Sequence, residues 1–147
     1  MSKTIGCILM VLLFAAGACK KTASPPLRFF EVGLDNNSAD WRDTSFIVAT
    51  ADTQLLTQIE AQLNLPVEQR KKIVLGKLVK GSGGYNKNAT HTFKWHFKED
   101  DWGLADFSIE IYDGRPYNDV DLSLTYWLET VERFSPWSSY IKKEIIP

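Results

Sequence analysis

Apolar and polar residues alternate along this chain with two periods, and the switches between them mark out elements. Residues 27–34 (LRFFEVGL) and 45–51 (SFIVATA) are short apolar runs separated by a polar loop; they predict a first strand and a central strand. Asp52 is placed to cap a helix in which Leu55, Leu56, Ile59 and Leu63 recur at helical spacing. That helix should end near Asn64, because Pro66 disfavours the α conformation in the residue before it. Residues 66–72 predict a short helical turn, and 73–80 (IVLGKLVK) a further strand.

Residues 92–97 (TFKWHF) have period two: Phe93, Trp95 and Phe97 share one face, Thr92, Lys94 and His96 the other. Residues 106–112 alternate likewise, with Phe107, Ile109 and Ile111 inward and Ser108, Glu110 and Tyr112 outward. The two segments predict an antiparallel hairpin across a loop that holds Trp102. Pro116 suits a first helical position, and Val120, Leu124, Trp127, Leu128 and Val131 then follow one helical face. Residues 134–137 (FSPW) break that helix, and 138–146 close as a last strand. The pattern as a whole predicts an α+β fold: a mostly antiparallel sheet of about five to six strands with two helices packed on one face.

The first residues follow a different rule. Lys3 precedes an uncharged, mostly apolar run of 14 residues, 5–18. As a helix this would rise roughly 21 Å, short of the roughly 30 Å hydrocarbon core, so a cleaved export signal fits better than a membrane span. Ala16, Gly17 and Ala18 directly precede Cys19, a run similar to a lipobox, although Ala16 stands where that pattern prefers leucine. Residues 1–18 are therefore expected to be a lipoprotein signal, with Cys19 the lipidated first residue of the mature chain. Residues 19–26, with Lys20, Lys21 and the paired Pro25 and Pro26, read as a solvated tether, and 27–147 as one globular domain. Lys20 is not the aspartate that holds enteric-type lipoproteins in the inner membrane. The expected location is thus the outer membrane of a Gram-negative bacterium. Cys7 leaves with the signal, so the mature domain should have no disulfide.

Composition narrows the classes of function. Loss of Lys3 leaves 16 Lys and Arg against 18 Asp and Glu, a net charge of −2, which does not support a nucleic-acid partner. Seventeen of the 18 aromatic residues lie beyond the signal, enough for one core. No cofactor is expected: 81–84 (GSGG) lacks the lysine and helix of a phosphate loop. No metal site is expected either, since His91 and His96 would fall on opposite faces of a strand. The acidic run Glu99, Asp100 and Asp101 reads as a solvated turn, with weak calcium binding as its functional alternative.

His96 and Glu110 would share a face of neighbouring strands, so they are weak candidates for an acid/base pair; a cross-strand polar contact is the simpler reading. Trp95, Trp127 and Trp137 are expected to be core. The binding candidates are Tyr85, Asn86, Trp102 and Tyr117, with Tyr85 and Asn86 foremost because they follow a glycine-rich loop. The expected function is a non-enzymatic binding module for an unknown protein, peptide or glycan at the cell envelope. The alternatives are a small envelope hydrolase using His96 and Glu110, or a proteinaceous inhibitor of a hydrolase.

Several short motifs carry a resemblance. Tyr85-Asn86, Trp95-His96-Phe97, residues 102–106 (WGLAD), Ser108-Ile109-Glu110 and residues 134–139 (FSPWSS) are similar to the N-terminal domain of a calmodulin-binding protein first named in slime moulds. That family also occurs in bacteria as small secreted proteins. The resemblance spans nearly all of 27–146. It implies no agreed enzymatic activity, and its name transfers no function. Many members carry cysteines where this chain has Tyr112 and Ser135, so the resemblance implies that both are lost here together.

Overall fold

A computed structural model of the chain describes residues 23–146; the expected signal and Cys19 lie outside them. The fold is α+β, with eight mostly antiparallel strands in small sheets among the described residues. β1 (Arg28–Leu34) lies between β2 (Ser45–Thr50) and β8 (Ser139–Ile145), antiparallel to both. A second sheet places β3 (Ile73–Lys80) between β6 (Trp95–Ala105) and β7 (Arg133–Phe134). The short β4 (Lys87–Asn88) and β5 (His91–Thr92) form a separate two-stranded ladder.

The core lies between the two larger sheets. Phe30 and Val32 of β1, Phe46 and Val48 of β2 and Ile141 of β8 meet Val74 and Leu78 of β3, Trp95 and Phe97 of β6, and Phe134 of β7. The rings of Phe46, Trp95, Phe97 and Phe134 are all mutually within 6.4 Å, in tilted and edge-to-face arrangements. Phe93, Trp95 and Phe97 share the buried face, as their alternation requires.

α1 (Thr53–Leu63) starts where expected: the Asp52 carboxylate accepts the N–H groups of Gln54 and Leu55 at 2.8 and 2.9 Å. Leu55 and Ile59 are buried, Leu56 and Leu63 pack beside them, and Asn64 caps the end. Residues Val67–Gln69 then make a 3-10 turn. β2 is not central in its sheet but its outer strand, and all six of its residues are nevertheless buried, because the chain around Asn86 covers its free edge.

Two further elements differ from the reading of the sequence. Residues 106–112 form no strand, and the expected hairpin is absent. β6 runs on to Ala105 and uses up β3, with Ile73 opposite Ala105 as the last rung. Alternation is a property of the segment alone, whereas a strand also needs a paired neighbour, and residues 106–112 pair with none of the strands. Trp102 therefore sits inside β6 rather than in a hairpin loop. Gly76 faces Trp102 and Leu78 faces Phe97, so residues 98–101 bulge opposite Lys77 alone. Lys98 pairs with Asp100 and Arg133 with Asp101, so these acids do not converge.

The second helix is broken into three pieces. Wide π-type turns at Pro116–Asp121 and Trp127–Val131 flank α2 (Leu124–Tyr126). Glu132, in the left-handed conformation at φ 63°, terminates the stretch. No helix among the described residues is long and apolar enough to cross a membrane.

Candidate binding site around Tyr85

The loop after β3 folds back over β6 and builds a small polar chain. His96 lies on the face of β6 opposite Trp95 and Phe97, under this loop. Its Nδ1 is 2.6 Å from the Gly81 carbonyl oxygen. A carbonyl only accepts, so Nδ1 carries the proton and Nε2 faces Glu99 Oε1 at 3.6 Å. The Tyr85 hydroxyl donates to the same Glu99 oxygen at 3.0 Å. Burial, then the Glu99 charge and hydrogen bond, push the phenol above its ordinary range, so Tyr85 stays a neutral donor. Gly83 makes the closure possible: its φ is +64°, and a Cβ there would stand 2.7 Å from the Tyr85 ring and 3.1 Å from the His96 ring.

Beside this chain lies an open groove of about 230 Å³, lined by Phe29, Ile47, Gly84, Tyr85, Lys87 and Ile145. β1 and β8 present Phe29 and Ile145 as cross-strand partners, and the Phe29 ring meets Tyr85 edge-on at 5.3 Å. The groove thus has apolar walls, one lysine, and a tyrosine fixed from behind.

The other sequence candidates do different work. Asn86 is fully buried: its Oδ1 accepts the Ile47 N–H at 2.8 Å and its Nδ2 donates to the Trp95 carbonyl at 2.8 Å. It clips the free edge of β2 to β6, which corrects the expectation that it is a ligand contact. Trp102 is buried and donates to the Ala49 carbonyl at 2.7 Å. Tyr117 is half-buried, with the Arg42 guanidinium 3.6 Å from its ring centre and the His91 ring meeting it edge-on at 4.9 Å. Its surfaces are already occupied by neighbours.

His96 and Glu110 are not brought together. Glu110 accepts the Trp137 backbone N–H at 3.0 Å, while His96 turns to Gly81 and Glu99. Trp95 and Trp127 are core, but Trp137 is 58 % exposed. Pro136 takes the buried place, and the Trp137 indole donates to the Ser108 carbonyl at 2.7 Å. No group of three potential metal ligands occurs among the described residues.

Sequence reasoning missed two buried acids. Asp43 Oδ1 accepts the N–H groups of Tyr117 and Asn118 at 2.8 and 3.0 Å, anchoring the start of the second helical stretch. Asp121 takes the Lys94 N–H at 2.7 Å and His91 Nε2 at 3.2 Å. Apart from the Ser38 hydroxyl, which donates to Asp43 Oδ2 at 2.9 Å, these donors lie far away in the chain, so local pattern marks neither acid.

A family model described as the BP-74 N-terminal domain matches residues 29–147. The chain belongs to that family. This corrects the resemblance to a calmodulin-binding-protein family, which no comparison supports. The motifs behind it include core positions such as Trp95, Phe97 and Phe134, whose residue types follow from burial and discriminate poorly between aromatic-rich domains. No curated protein and no solved structure matches the chain. The matched residues begin at Phe29 in β1 and include those of the Tyr85 loop and the groove.

Proposed function

We propose that this BP-74 N-terminal domain protein is a non-enzymatic binding module, held at the cell envelope by a lipid on Cys19. The groove beside Tyr85 receives an apolar side chain from a partner protein, and Lys87 pairs with a carboxylate next to that side chain. The observation that carries this reading is the groove itself: Phe29, Ile47 and Ile145 line it, and Tyr85 is locked from behind by Glu99. A wall that is already ordered loses little entropy when a ligand binds. Burial of a leucine-sized side chain there is worth about 1.5–3 kcal/mol. The envelope assignment rests on the pattern of residues 1–26.

The test uses the full chain in its membrane. Cross-linking from a probe at Lys87 should capture a partner protein, and Tyr85→Ala combined with Phe29→Ser should abolish the capture. Cys19→Ala should move the protein out of the membrane fraction and remove an acyl label. Capture that survives the groove variants rejects the groove; membrane residence without Cys19 rejects the anchor.

One observation favours a second reading, an inhibitor of a hydrolase. Residues 106–112 leave Phe107 and Ile109 85 % and 84 % exposed on a loop tied down by Trp137. Such a loop has the form of a plug for a partner's cleft. A panel of proteases and lysozymes decides it: inhibition should vanish in Phe107→Ser, and an absence of inhibition across the panel rejects it.

A further inference from the structure

We propose a second binding site, for a single pyranose ring of a glycan, in the cavity of about 310 Å³ formed by Tyr112, Asn118, Asp119, Ser123, Tyr126 and Trp127. It is independent of the Tyr85 groove. The volume is at the small end of the roughly 300–1,000 Å³ usual for ligand pockets.

The second helical stretch supplies most of the walls. Asp119 comes from its first π-type turn, Ser123 from the break that follows, Tyr126 from α2 and Trp127 from the second π-type turn, and all four line the cavity. Tyr112 closes the far side. Its backbone is left-handed at φ 61°, which is uncommon for a side chain of this size. Its ring centre stands 6.1 Å from those of both Tyr126 and Trp127, at 76° and 52°. Tyr112 and Tyr126 are 64 % and 42 % exposed, whereas Trp127 is 1 % exposed and closes the cavity on the core side.

The polar groups select the ligand. The Trp127 indole N–H is buried and has no hydrogen-bond partner among the described residues, and a buried donor left unpaired calls for an acceptor. Asp119 Oδ2 accepts the N–H groups of Asp113 and Arg115 at 3.1 and 2.8 Å, which leaves Oδ1 for another donor. Burial pushes this carboxyl above its ordinary range, so a donated hydrogen bond would compensate lost solvation. Ser123 adds an exposed hydroxyl. An anion would meet the Asp119 charge. A purely apolar guest would leave both Asp119 Oδ1 and the indole without a partner, and an organic cation would still leave the indole donor without one. A sugar ring supplies hydroxyls that donate and accept together with a C–H face that stacks on aromatic rings.

The experiment titrates the full chain, 15N-labelled at tryptophan, with methyl glycosides of glucose, galactose and N-acetylglucosamine. At least one should shift the Trp127 indole N–H resonance saturably in the millimolar range. Tyr126→Ala and Ser123→Ala should each weaken that binding at least about tenfold, about 1.4 kcal/mol, and Tyr85→Ala should leave it unchanged. The indoles of Trp95 and Trp102, which donate to the Pro116 and Ala49 carbonyls, report whether each variant keeps its fold. The proposal is overturned if no glycoside moves the Trp127 resonance. It is also overturned if tetramethylammonium alone does so, or if folded Tyr126→Ala binds as well as the parent protein.

Discussion

Replacing Asn86 by alanine tests whether one buried amide holds the two sheets together. The change leaves the backbone of the loop as it is, including the Asn86 N–H to Ser82 carbonyl bond and the Phe93 N–H to Asn86 carbonyl bond. It removes two side-chain bonds of 2.8 Å, and with them the partners of the Ile47 N–H and the Trp95 carbonyl. Both groups lie on fully or nearly fully buried residues. An orphaned buried group costs about 1–3 kcal/mol, so two should cost about 3 kcal/mol after some relaxation. For a domain of this size that corresponds to a fall in Tm of about 10 °C. Urea unfolding should show a lower midpoint with an unchanged slope, since the surface exposed on unfolding is the same. Hydrogen exchange should report the loss locally, at the Ile47 amide. Asn86→Asp should be no better: it keeps an acceptor for Ile47 but sets a buried carboxylate against the Trp95 carbonyl. A loss below about 1 kcal/mol with the Ile47 amide still protected would refute the clip.

Two further outcomes are expected. Asp40 should titrate at about 2 rather than 3.8, chiefly because its carboxylate accepts hydrogen bonds from the Arg42 guanidinium. A depressed carboxyl contributes stability above its unfolded pKa and loses it as pH falls from about 4 through about 2; carboxyl-carbon NMR should show the low midpoint, and Arg42→Ala should raise it. Gly83→Ala and Gly84→Ala share a positive φ that costs an alanine about 1–2 kcal/mol, but only at position 83 would the Cβ meet Tyr85 and His96. Thermal melts should therefore show Gly83→Ala as the more damaging, with loss of the Tyr85 wall; equal effects at the two positions would show that Tyr85 moves aside freely.

Elements with purely local causes were legible from the residues. The Asp52 cap, the helix through Leu55 and Ile59, and β3 at Ile73–Lys80 stand where periodicity and capping put them. The shared face of Phe93, Trp95 and Phe97 did too. Residues 106–112 failed because alternation does not create a partner strand, and Trp137 failed because Pro136 took the buried place. Among the binding candidates, Tyr85 alone lines the groove. Asn86 and Trp102 turned out to be internal donors, since the same chemistry that suits an amide or indole for a ligand suits it for a buried carbonyl.

The sequence by itself determined which segments are amphipathic, where the helices begin, and the α+β class. These depend on residues within a few positions of one another. Only the tertiary structure decided which strand covers which edge, where Glu99 meets Tyr85, and that Glu110 is bound by Trp137 instead of His96. Those outcomes depend on long-range competition for a limited number of strand edges and hydrogen-bond partners, which no local pattern records.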